Sequence, residues 1–178
     1  MDALTWAVGS PEARETEYPK SSPGYKGIKR QCDISVAGTY RLLAAAWVDP
    51  SGNVPQPEVI KKALCEYGPI SAGIYATPTL QSYGGPDTEV FSEVVNSADS
   101  NHAILIIGWD NNKQAWLIKN SWGERWGFAG YAWVKFGSNN VGRFPVWAKA
   151  PIPGVKITSF LEGEMRKLSG LAGRSRSR

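Results

Sequence analysis

The chain has 178 residues, enough for one domain with a real core, and 42% of them are hydrophobic, as in an ordinary globular protein. Its charge of +4 is unevenly placed: seven of the 20 Lys and Arg residues and two of the 16 acidic ones lie from Lys149 onward, leaving 13 and 14 before it. A near-neutral body argues against a nucleic-acid partner, and no run approaches the ~18 apolar residues of a membrane helix.

The first 56 residues are rich in turn formers, with Glu17-Tyr18-Pro19 leading into Ser22-Pro23-Gly24. Met1 to Arg14 lacks the charged-then-apolar layout of a signal peptide. After Cys32, Ile34 to Tyr40 reads as a short strand, and Asp49-Pro50-Ser51-Gly52-Asn53 as a turn. Pro57 suits the first turn of a helix in which Val59, Ile60, Ala63, Leu64 and Tyr67 recur at helical spacing, and Gly68-Pro69 stops it. Ile70 to Tyr75 follows as a buried strand, then a loop of low periodicity from Thr77 to Ser100.

The apolar run Ala103 to Trp109, the turn Asp110-Asn111-Asn112-Lys113 and the run Ala115 to Asn120 predict a hairpin. Tyr131 to Phe136 and Phe144 to Trp147 predict further strands. The fold class expected is α+β, mainly an antiparallel sheet or barrel with one clear helix. Trp116, Trp133 and Trp147 read as core packing. Residues 1–150 form this body. Residues 151–178 read as a linker, Pro151 to Gly154, then a short helix over Thr158 to Leu171 with Ser159 and Glu162 at capping-box spacing, and a basic disordered end, Arg174 to Arg178.

Cys32, Cys65 and the single histidine, His102, fall short of the usual four-ligand zinc site, so neither metal nor cofactor is expected. With the hairpin turn centred on Asn111-Asn112, His102 falls opposite Asn120 or Ser121, within about 5 Å. An asparagine oxygen there would hold one imidazole nitrogen and leave the other free as a base. Geometry alone leaves a second reading open, a satisfied histidine beside a turn.

Asn101-His102-Ala103 before a strand ending in Gly108-Trp109 resembles the histidine segment of papain-like cysteine peptidases. Trp116-Leu117-Ile118-Lys119-Asn120-Ser121-Trp122-Gly123-Glu124-Arg125-Trp126-Gly127 and the residues on to Tyr131 resemble their asparagine segment closely. Glu17-Tyr18-Pro19, Cys32 and Gly68-Pro69-Ile70-Ser71 fall in the family's order, so the resemblance covers about residues 1–148.

The resemblance implies the family's right-hand lobe. It also implies catalytic roles for His102 and Asn120, a Trp122 shield over their contact, and substrate-binding positions at Gly73, Ala103 and Trp126. The small Gly73 and Ala103 imply a roomy pocket for a substrate side chain. The family's nucleophile lies in a Cys-Gly-Ser-Cys-Trp-like segment of a helical left-hand lobe, and this sequence has no such segment. Cys32 matches a family cysteine that bonds to that lobe, and Cys65 is expected near the apolar side of its helix. The expectation is therefore a chain inactive alone, whose partners are a peptide or protein substrate and the missing helical lobe. A non-catalytic peptide- or protein-binding module is the alternative, and a separate polypeptide carrying the thiol is a third arrangement. The family is often secreted or lysosomal.

Overall fold

The computed structural model describes residues 42–150. The readings made for Cys32, the strand near Ile34 and everything from Pro151 onward lie outside the described residues.

Seven strands form one sheet: β1 Ala44–Trp47, β2 Ile70–Ile74, β3 Val90–Phe91, β4 His102–Asp110, β5 Ala115–Lys119, β6 Tyr131–Lys135 and β7 Arg143–Lys149. Their order is β1-β7-β2-β4-β5-β6-β3. Every pairing is antiparallel except the short β3 against β6. Period-two alternation sorts the faces. Ile70, Ala72 and Ile74 of β2, Ile104 and Ile106 of β4, and Trp116 and Ile118 of β5 all point into one core.

Helix α1, Pro57–Tyr67, covers that core. Proline at the first turn costs nothing, because the N–H it lacks has no helical partner there. Ile60, Ala63 and Leu64 are buried, while Tyr67 is half-buried and stacks on Trp147 at 4.3 Å between ring centroids. Val59, one residue off the stripe, is exposed. The helix ends at Gly68, which adopts φ +83° and donates its N–H to Leu64 O at 3.0 Å.

The segment expected as a loop after Thr77 contains a short helix, α2 Pro78–Gln81, capped by Thr77 Oγ1 accepting from Leu80 N at 3.1 Å. It also contains β3, and neither element is long enough for its periodicity to show. The β4–β5 turn differs from expectation too. Asp110 pairs with Ala115 across a four-residue loop, with Asp110 Oδ1 accepting from Asn112 N and Lys113 N at 2.7 and 3.1 Å and Gln114 at φ +52°. A bulge between Ile106 and Gly108 shifts the register again, so Leu105 faces Lys119. His102 is thus not directly opposite Asn120 in the ladder.

Of the three tryptophans assigned to the core, Trp116 is fully inside, packed on Phe136 at 4.6 Å. Trp133 and Trp147 are half-buried.

Candidate active site

His102 opens β4, in the middle of the sheet, where its backbone pairs with Ile74 of β2. Asn101 fixes that end. Its N–H donates to Ile74 O at 3.2 Å. Its side-chain oxygen accepts from Ala76 N at 2.6 Å, and its amide nitrogen donates to Ala76 O at 3.2 Å. This grip on the end of β2 and on Ala76 beyond it was not read from the sequence. The polar residue next to the only histidine was its one available signal.

Asn120 sits just past the end of β5, its N–H donating to Gly130 O at 2.9 Å. The chain leaves the ladder here and turns, which brings the side chain diagonally onto His102. Asn120 Oδ1 lies 2.8 Å from His102 Nε2 and 2.8 Å from the backbone N of Ser121. A backbone N–H only donates, so the atom facing Ser121 is the amide oxygen. The same oxygen faces the imidazole, so Nε2 carries the proton and donates it. In the neutral form of the ring the lone pair then lies at Nδ1. Asn120 Nδ2 is buried with no hydrogen-bond partner among the described residues.

Trp122 stacks on the His102 ring at 4.4 Å, with 24° between planes. Apolar cover of this kind keeps water from competing for the His102–Asn120 bond. Trp126 meets Trp122 edge-on at 5.5 Å and 85°. It is itself only 5% exposed, with its indole N–H donated to Leu80 O at 2.7 Å. Its side chain therefore stands behind Trp122 in the core.

A groove of about 460 Å³ runs past His102, lined among others by Gly73, Ala103, Trp47, Phe144 and Val146. No Asp, Glu, Lys or Arg side chain lines it among the described residues. The two small residues expected there do line it, but the space beside Gly73 is taken: a Cβ on it would come within 2.6 Å of Ser100 Oγ. The missing side chain makes way for Ser100 rather than for open volume. On the far wall, Phe144 is 40% exposed and meets Trp47 at 6.3 Å. Its φ of +49° interrupts the extended backbone of β7 where the β2–β7 register shifts.

Cys65, expected near the apolar side of α1, is exposed and lines no part of the groove. Among the described residues no three His, Cys, Asp or Glu side chains are grouped to hold a metal ion. No helix there is long and apolar enough to cross a membrane.

Residues 2–148 match the family described as "Papain family cysteine protease". Human cathepsin O is 37% identical over 146 residues, 80% of this chain and 42% of that protein. Mouse cathepsin K is 38% identical over 129 residues, 71% of this chain and 36% of that protein. The chain thus spans less than half the length of these relatives. Among solved structures, bromelain from Ananas comosus, in complex with the E64 inhibitor, aligns with a TM-score of 0.64 and 26% identity over 84% of this chain and 68% of that one. A mite-allergen structure aligns with a TM-score of 0.69 over 83% of this chain and 46% of that one, at 22% identity, a likeness of fold alone. With the family match running over most of its length, the chain belongs to the papain family of cysteine proteases.

Proposed function

We propose that this chain supplies the base and its orienting partner for peptide-bond hydrolysis by a thiol mechanism. The nucleophile comes from a polypeptide segment outside these 178 residues. The observation that carries the reading is the His102 Nε2 to Asn120 Oδ1 hydrogen bond, with Ser121 fixing the amide and Trp122 covering the ring.

In this mechanism His102 Nδ1 takes the thiol proton, giving a thiolate and an imidazolium. The thiolate attacks the scissile carbonyl carbon, and the imidazolium returns its proton to the leaving amine nitrogen. Water then attacks the thioester carbonyl, with Nδ1 again taking a proton, and the thiol leaves. Asn120 Oδ1 keeps its bond to Nε2–H throughout, so the ring does not rotate between steps. Trp122 shields that bond, and Trp126 backs Trp122. Gly73 and Ala103 wall a groove whose lining favours an uncharged substrate side chain.

Neither cysteine of the chain suits the nucleophile's place. Cys65 is exposed on α1, away from a helix N-terminus. Cys32 resembles a family position that forms a disulfide.

The test is a fluorogenic dipeptide assay under reducing conditions, on the chain alone and with a papain-like helical lobe carrying the thiol. The reading predicts no turnover by the chain alone and turnover with the lobe, abolished by His102→Ala. Turnover by the chain alone, lost in Cys65→Ser or Cys32→Ser, overturns the assignment of the nucleophile. A folded chain that stays inactive with every lobe and still binds peptide supports a binding module instead.

A further inference from the structure

We infer that Tyr83 is a positioning residue for His102, acting through Trp126 and Trp122. The inference rests on the reading of His102 as the base. The loop from Asn120 to Gly130, which carries Trp122 against the imidazole, is closed by Trp126 N–H to Gly123 O at 3.3 Å and Gly130 N–H to Trp126 O at 2.8 Å, neither of which touches the Trp122 side chain. It is held from behind by the segment that leaves α2.

Three contacts join them. Leu80 O accepts the Trp126 indole N–H at 2.7 Å. Tyr83 O accepts the Gly127 N–H at 2.9 Å. The Tyr83 ring meets the Trp126 ring edge-on, at 6.1 Å and 65°. Two of the three involve Tyr83, one by backbone and one by side chain. The ring contact is the one that limits rotation of the indole about its hydrogen bond.

Tyr83 is anchored in turn. Its ring meets the buried Phe91 of β3 edge-on at 5.1 Å. Gly85 lies against the ring so closely that an added Cβ would collide with it. Edge-to-face pairs depend on orientation, so Phe91, Tyr83, Trp126, Trp122 and His102 form one directional stack.

The Tyr83 hydroxyl is buried, and the polar group beside it is the Glu89 carboxylate. Burial first, and the nearby Glu89 carboxylate second, push its phenol above the ordinary tyrosine range. The contacts that reach Trp126 and Gly127 come from the Tyr83 ring and carbonyl, not from its hydroxyl.

The experiment uses proton NMR of the whole chain, where His102 is the only histidine. Ring currents from the stacked Trp122 displace the His102 Cδ2 and Cε1 proton resonances upfield. Tyr83→Leu is expected to move both toward their random-coil positions, and Tyr83→Phe to leave them in place. Gly85→Ala, which crowds the ring without removing it, is expected to move them in the same direction as Tyr83→Leu. A Tyr83→Leu protein that unfolds cooperatively yet keeps wild-type His102 resonances overturns the inference. Should neither variant fold, the wild-type chain decides: nuclear Overhauser contacts from Trp126 to both Tyr83 and Trp122 support the stack, and their absence overturns it. Unshifted His102 resonances in the wild type instead indict the His102–Trp122 arrangement, and with it the functional reading.

Discussion

At Asn120 one amide oxygen accepts from two donors, His102 Nε2 and the Ser121 N–H. The second donor makes the arrangement self-consistent, because it forbids the flipped amide and so sets the imidazole proton. Gly127 has a comparable local duty. Its φ is +55°, and a Cβ there would collide with the Tyr131 carbonyl. Gly127→Ala is therefore expected to destabilise the fold by about 2 kcal/mol or more. Chemical denaturation checks this, and a loss below ~0.5 kcal/mol would mean the turn relaxes freely. Both motifs were legible as sequence, Asn120-Ser121-Trp122 through a family resemblance and Gly127 within the same run. Asn101 and Tyr83 were not, because their partners, Ala76 and Trp126, are fixed only by the tertiary fold.

Among the elements, α1 was readable because five residues at helical spacing, a leading proline and a closing Gly68-Pro69 agree. Its burial makes a sharp expectation. Ile60 is fully buried, and its Cδ1 fills the space beside Gly142. Ile60→Ala should cost about 2–5 kcal/mol, seen as a lower denaturation midpoint at unchanged slope.

The β4–β5 hairpin shows the opposite case. The strands were legible, but their register was not. The four-residue loop rests on an Asx turn at Asp110 and on Gln114 at positive φ, and a bulge before Gly108 shifts the register once more. The contact between His102 and Asn120 survives because the chain turns after Lys119, not because the two face each other in the ladder. Helix α2 escaped the reading because it is one turn long, held by a Thr77 cap and by contacts remote in sequence.

Glu93 makes one of those contacts. Its Oε2 accepts from Thr77 Oγ1 at 2.6 Å and from Asn139 Nδ2 at 2.9 Å. These bonds, Thr77 first, hold the carboxyl below the ordinary glutamate range, against a smaller opposing effect of burial. A carboxyl with a depressed folded pKa contributes stability that is full above its unfolded pKa and lost as pH falls through the folded value. Wild type should therefore exceed Glu93→Gln in thermal stability near neutrality, and the gap should close below about pH 4. A gap independent of pH contradicts the charge's role.

Taken whole, the described body is a single sheet with one core, and the candidate site lies where β4 begins and β5 ends. The face of β4 turned away from the core carries Leu105, 38% exposed beside the exposed Lys119. Cys65 stands on α1, exposed and not part of the groove. A maleimide should thus label Cys65 in the folded chain with no dependence on His102. Labelling that slows in His102→Ala would show the two groups to be coupled. The α+β class and the antiparallel sheet were readable from composition and alternation, because those follow from the chain's own periodicity. The groove was not, since Trp47, Gly73 and Phe144 come from three separate strands and Ser100 from the loop before β4.

The most direct test of the base and its partner is the nitrogen-15 NMR spectrum of the His102 ring, in the chain and in Asn120→Ala. At a pH where the ring is neutral, the account predicts a proton at Nε2 in the wild type, and a mixture of both tautomers once Asn120 is removed. A wild-type ring protonated at Nδ1, or a spectrum indifferent to Asn120, would contradict it.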